Sequence, residues 1–196
     1  MRVTQGMMIS TTLSNIAANQ TRLQELQDQI TSGRKVRKPA DDPVATARAL
    51  SASASIEQTA QYRRNLQTAT TWLKSTDTAL QQVTDVLQRA RELAVSGANQ
   101  NFSPQQRQAM GAEVAQLFNS MIDLGNSKSG GRYIFAGHQV QTQPFRQSSD
   151  PDGYSYQGDT GEVQVEIGPN NPLTLNMPGT RAFPQALQAL HALTNA

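Results

Sequence analysis

Apolar residues recur every seven positions along two long stretches of this chain. In the first, Ile9, Ile16, Leu23 and Ile30 make a single row. The positions beside that row are mixed: Leu13 and Leu26 are apolar, while Asn19, Gln20 and Gln27 are polar. So narrow a stripe predicts a coiled-coil-type helix from about residue 6 to 32, one that lies against another helix. In the second stretch, from Pro43 to about Ser96, Leu66, Leu73, Leu80, Leu87 and Ala94 keep the same spacing. Ala69, Val83 and Ala90 supply a neighbouring row, and Trp72, Ala79, Val86 and Leu93 a third. That face is wider and predicts contact with more than one partner helix. At the helical rise it would span roughly 80 Å, a rod.

The punctuation between these stretches is clear. Gly33 follows the last apolar residue of the first helix, where a left-handed C-terminal cap is expected. Pro39 crowds Lys38 out of the helical region. Asp42 then offers a carboxylate to free N–H groups, and Pro43 stands at the first helical position. Further on, Gly97-Ala98-Asn99-Gln100-Asn101 breaks the pattern, and Ser103-Pro104-Gln105-Gln106 reopens it as a capping box. Met110, Val114, Leu117, Met121 and Leu124, widened by Phe118 and Ile122, predict a third helix that folds back on the second.

From Asn126 the pattern turns irregular. Arg132 to Gly137 reads as a short strand closed by glycine. Tyr154 to Ile167 alternates on both sides of Gly158-Asp159-Thr160-Gly161, which predicts a β-hairpin, and Leu173, Leu175 and Met177 suggest another strand. Phe183, Leu187, Leu190 and Leu193 step helically after Pro184. The expected fold is therefore mainly α with a smaller β-rich part. It comprises an N-terminal helix and connector (1–42), a long helical hairpin (43–128), a hairpin-containing β-rich region (129–182) and the start of a further helix (183–196).

Composition and chemistry narrow the function. Hydrophobic residues make up 37% and aromatics only 5%, thin for a compact enzyme and suited to long helices. A net charge of +2 directs the chain to neither nucleic acid nor membrane, and the lack of cysteine excludes disulfides and thiolate metal sites. No apolar run approaches a membrane span, and the opening M-R-V-T-Q-G-M-M-I-S lacks the core of a signal peptide. His138 and His191 stand far apart with no partner at ligand spacing, so no metal site is expected. Asp41 and Asp42 suit capping better than acid catalysis. Asp150-Pro151-Asp152-Gly153 starts like a calcium loop, but Tyr154 takes the next ligand position, which leaves a turn. Arg34, Lys35, Arg37 and Lys38 have neither flanking aromatics nor a basic helix face, so they fit a protein-contacting connector better than nucleic acid. No catalytic, cofactor-binding or metal-ligating residue is predicted.

Four stretches together resemble the flagellin superfamily: the opening M-R-V-T-Q-G-M-M, the connector S-G-R-K-V-R-K-P-A-D-D-P-V-A-T-A-R-A-L, the long heptad helix and G-R-Y-I-F-A-G. The resemblance covers residues 1 to about 145 well and the β-rich part more loosely. Prolines on each side of the double aspartate, with G-R-Y-I-F-A-G, favour the members that join hook to filament. The resemblance implies a non-enzymatic structural subunit of the bacterial flagellum, exported by the type III apparatus without a cleaved signal peptide. Its implied partners are copies of itself in a ring, an adjacent hook-associated protein and flagellin, and, for full-length members, an export chaperone. Neither nucleic acid nor membrane insertion is implied. Subunit-contact candidates are Ile9, Ile16, Leu23, Ile30, Arg34, Lys35, Arg37 and Lys38; the helix-cap residues are Gly33, Asp42, Pro43 and Ser103. Family members continue into C-terminal helices that pair with the N-terminal ones. This sequence stops at Ala196, so the resemblance also implies a chain lacking them, with a first helix short of its partner. A filament flagellin shares the same helices, and a coiled-coil adaptor explains the heptads but not the β-rich part.

Overall fold

A computed structural model describes residues 5–33, 35–36, 39–40, 42–98 and 102–194. The fold is mainly α with a smaller β part. Helix α1 spans Gln5–Ser32, α2 Pro43–Gly97 and α3 Pro104–Gly125. Three two-stranded antiparallel hairpins follow: β1 Lys128–Ser129 with β2 Arg132–Tyr133, β3 Phe145–Gln147 with β4 Tyr154–Tyr156, and β5 Gln164–Gly168 with β6 Asn171–Thr174. A short α4, Gly179–Ala182, leads into α5, Pro184–Thr194. The chain divides into two compact units, residues 1–58 and 59–196.

In the second unit the core begins on α2. Its buried residues are Ala69, Trp72, Thr76, Ala79, Val83, Ala90 and Leu93, which step by three and four as a coiled-coil seam does. The seam is therefore the row through Ala69 and Val83 together with the row through Trp72 and Ala79. The row of leucines lies at its rim: Leu66, Leu73 and Leu87 are exposed and Leu80 is half-buried. Thr76 is tolerated in the seam because its hydroxyl donates to the Trp72 carbonyl at 3.1 Å.

Ser103 opens α3 as a capping box. Its hydroxyl accepts from the Gln106 N–H, while the Gln106 side chain accepts from the Ser103 N–H at 2.8 Å. Val114, Phe118, Met121 and Ile122 of this helix are buried in one cluster with the α2 seam and with Phe135, Phe145, Phe183, Leu187 and Leu190. Where α3 passes α2, Arg89 Nε donates to Glu113 at 2.7 Å. That hydrogen bond, strengthened by the charge, raises the guanidinium above its ordinary value. Both groups are exposed, so the pair adds little to stability.

The β part differs from the alternation in the sequence. Tyr154–Tyr156 pairs with Phe145–Gln147, and Gln164–Gly168 pairs with Asn171–Thr174; the two segments are not partners of each other. The turn that reverses the chain is Pro169-Asn170, with Asn170 at φ 53°. Gly158 to Gly161 is instead drawn into another contact: the Asp159 Oδ1 accepts from the His138 N–H at 2.7 Å and the Gly161 N–H at 2.8 Å. These two hydrogen bonds hold the Asp159 carboxyl below the usual carboxylate range. The expected strand at Arg132–Gly137 is likewise shorter. It ends at Tyr133, and Ile134, Phe135 and Ala136 bend into the core fully buried. Phe135 meets the Phe183 ring edge-on with centroids 4.8 Å apart.

Candidate assembly surface

The residues expected to make subunit contacts lie on α1 and in the connector after it. Nothing in α1 is buried. Ile9, Ile16, Leu23 and Ile30 are between 50% and 82% exposed, and Met7, Met8, Leu13 and Leu26 beside them are at least half exposed. On a straight helix a seven-residue repeat drifts by about 20° per heptad. The row therefore curls around α1, and a helical partner following it would wind left-handed.

The threonine hydroxyls on the polar flanks of α1 bond within the helix. Thr11, Thr12, Thr21 and Thr31 each donate their hydroxyl to the carbonyl four residues back, at 2.8 to 3.1 Å, so those hydroxyls do not compete for the backbone elsewhere. Gly33 then adopts the left-handed conformation at φ 64°, which only glycine takes without cost. Lys35 is exposed and Val36 half-buried. Arg34, Arg37, Lys38 and Asp41 lie outside the described residues. Asp42 holds the start of α2: its Oδ1 accepts from the Ala45 N–H at 2.9 Å, and its carbonyl accepts from the Thr46 N–H. Pro43 is the first residue of that helix. The apolar residues Val44, Leu50 and Ile56 that follow are exposed like the α1 row.

Sequence reasoning missed the contacts that shape the β part. Asn126 brackets one residue from both sides, accepting from the Phe145 N–H and donating to its carbonyl, each at 2.9 Å. Buried Asn176 does the same between Val163 and Gly161. Single polar residues in irregular stretches give no periodic signal, which is why neither stood out. The Asp150 loop closes as a turn, with the Gly153 N–H donating to the Asp150 carbonyl at 2.8 Å. No described helix is long and apolar enough to cross a membrane.

Comparisons with known proteins place the chain. The profile of the bacterial flagellin N-terminal helical region matches residues 3–140. Flagellar hook-associated protein 3 of Salmonella typhimurium is 29% identical over 184 residues, covering 93% of this chain, and that of Escherichia coli is 27% identical over the same length. The chain spans 57% of the length of either protein. Among solved structures, Xanthomonas campestris FlgL superposes with a TM-score of 0.59 at 33% identity, covering 64% of this chain and 41% of that one. Bacillus cereus FlgL does so with a TM-score of 0.64 at 25% identity, covering 77% and 73%. These relatives bear the names of flagellar structural proteins. With the N-terminal helical profile matched across residues 3–140 of the 196, the chain belongs to the bacterial flagellin family.

Proposed function

We propose that this chain is a structural subunit of the bacterial flagellum that joins hook to filament, and that it acts by contact rather than turnover. The observation that carries the junction reading is the similarity to two hook-associated protein 3 sequences along 93% of the chain. The α1 stripe supplies the means. Burying one large apolar side chain contributes about 1.5–3 kcal/mol, so the four residues of the row together supply about 6–12 kcal/mol. Association costs on the order of 4–15 kcal/mol. One such helix contact is marginal alone and becomes secure when closed into a ring, where each copy makes two contacts and effective concentration rises. Arg34, Lys35, Arg37 and Lys38 add charge to the connector at these subunit contacts. The neighbours in this reading are copies of the chain, an adjacent hook-associated protein and flagellin. Delivery is through the flagellar export apparatus, without cleavage of a signal peptide.

Immunogold electron microscopy on cells carrying an epitope-tagged copy tests the reading. Label confined to a single position between hook and filament is the expected result. Label along the whole filament would make the chain a filament subunit. Label retained in the cytoplasm, in a soluble one-to-one complex, would make it a coiled-coil adaptor.

A further inference from the structure

With no cysteine in the chain, its sulfur chemistry belongs to six methionines. Those described fall into two settings. Met121 is fully buried in the core of the second unit, and Met110 and Met177 are half-buried. Met7 and Met8, consecutive near the start of α1, are 62% and 58% exposed. Their carbonyls accept from the Thr11 and Thr12 hydroxyls at 2.8 Å, so the two thioethers project from a hydrogen-bonded turn. The four residues line an open hollow of about 440 Å³, which admits a solute as small as hydrogen peroxide.

Methionine oxidation needs access to the thioether, and it turns a flexible apolar side chain into a polar, chiral one. We propose that Met7 and Met8 are a peroxide-modification site of the free chain. A sulfur lone pair attacks one peroxide oxygen, and the O–O bond breaks. The leaving hydroxide takes the proton of the transferred oxygen and departs as water. Sulfur loses two electrons as the sulfoxide forms, and the peroxide gains them. The two positions differ in consequence. Successive residues stand about 100° apart around a helix. Met8 therefore lies on the flank of Ile9, in line with Leu26 about five turns on, whereas Met7 lies about 160° from Ile9. This consequence rests on the reading that α1 makes subunit contacts: a Met8 sulfoxide sets an unpaired acceptor against that contact, and a Met7 sulfoxide does not.

Peptide mass spectrometry of the purified chain after a pulse of hydrogen peroxide, quenched with catalase, tests the site. Folded chain is compared with chain unfolded in urea. Met7 and Met8 should oxidise within about twofold of their unfolded rates, and Met121 at least about tenfold more slowly than its own. Equal protection of Met8 and Met121 overturns the site. Two variants then read the consequence in cells. Met8→Gln carries a polar amide in place of the sulfoxide, and Met8→Leu an apolar side chain that cannot take up oxygen. Met8→Gln should lose filaments, while Met8→Leu and Met7→Gln keep them. Ile16→Asp, with a charge in the row itself, is the reference. Filaments kept by Met8→Gln but lost by Ile16→Asp overturn the effect of Met8 on assembly. Filaments kept by both overturn the subunit-contact reading of α1, and the peroxide rates still decide the modification site.

Discussion

Helix α2 holds, in one continuous element, apolar residues in two settings. Along residues 43–58, Val44, Leu50 and Ile56 are exposed, as are the apolar residues of α1 in the same compact unit. From Ala69 to Leu93 the same helix buries seven side chains in the core of the second unit. Helix propensity does not separate the two stretches. What differs is whether α3, α5 and the aromatic loop residues of the same chain pack on the stripe. A seven-residue repeat, exposed along α1 and buried along α2 from Ala69 to Leu93, therefore does not itself say whether a partner lies in the same molecule. Exposure distinguishes the two, and mutation can test the distinction.

The largest effect is expected in the second unit. Phe183 is fully buried, with Phe135 and Phe145 packed on its ring at centroid distances of 4.8 and 5.1 Å. Phe183→Ala should destabilise by about 3–5 kcal/mol, since it removes a large apolar surface and leaves a cavity among neighbours that cannot collapse. Urea denaturation followed by circular dichroism measures this. A midpoint equal to the parent's would mean the aromatic cluster is not the centre of the core.

A smaller cost attaches to the loop that replaces the expected hairpin turn. Gly137 has φ 70°, and a Cβ there would stand 2.4 Å from the Asp159 carbonyl oxygen. Gly137→Ala should cost about 1–3 kcal/mol, from left-handed strain together with displacement of the Asp159 contact. The same unfolding measurement reads it. Gly33→Ala in the first unit is the control: that glycine has positive φ but no neighbour within 4 Å of a Cβ, so strain acts without displacement and the loss should be smaller.

Asp159 adds a pH dependence of defined sign. Its folded carboxyl sits below the ordinary range because the His138 and Gly161 N–H groups favour the charged form. The stabilisation is thus fully present above the unfolded value of about 3.9 and is lost as pH falls through the lower folded value. Asp159→Asn should lower the thermal midpoint at neutral pH, and the gap to the parent should close as pH falls below about 4. A gap that stays constant down to strongly acid pH would mean the carboxylate charge contributes nothing to that contact.

Much of this fold is legible in the sequence, and the failures have physical reasons. Caps are read well because the chemistry is local: Ser103 with Gln106 needs only its own turn. Helices are read well because long periodic stretches repeat their signal. The sequence marks three apolar rows on α2 without ranking them, and the structure buries chiefly the two that hold Ala69 and Trp72. Hydrophobicity alone does not rank them, since Leu66 and Leu73 are exposed while Ala69 and Ala79 are buried. The β pairing was misread because Gly-Asp-Thr-Gly and Gly-Pro-Asn-Asn are both turn chemistry. In the folded chain Pro169-Asn170 reverses the strands, while Asp159 accepts from the His138 N–H. The α1 row was fully visible, and nothing within the sequence names its partner.

The smallest effect on stability should therefore fall where the effect on assembly is greatest. Ile16 is half exposed in α1, which has no buried residue. Ile16→Asp removes no packing from the described molecule and buries no charge. Its unfolding free energy should stay within about 0.5 kcal/mol of the parent, as for surface substitutions generally. In an assembled contact the same aspartate would be desolvated within an apolar row, at a cost of several kcal/mol unless it is neutralised. That exceeds the roughly 1.5–3 kcal/mol the isoleucine supplied by burial, so the substitution should turn a marginal contact repulsive. Cells expressing the variant should export it normally and fail to retain filaments, scored by counting hooks without filaments in electron micrographs. Thr21→Asp, at another exposed α1 position but off the seven-residue row, separates stripe from mere charge and should leave filaments in place. If Ile16→Asp cells kept their filaments, the row would be a solvated surface and assembly would use another face of the chain. If instead the variant unfolded at lower urea than the parent, α1 would already be packed within the monomer, and the contrast between the two units would fail.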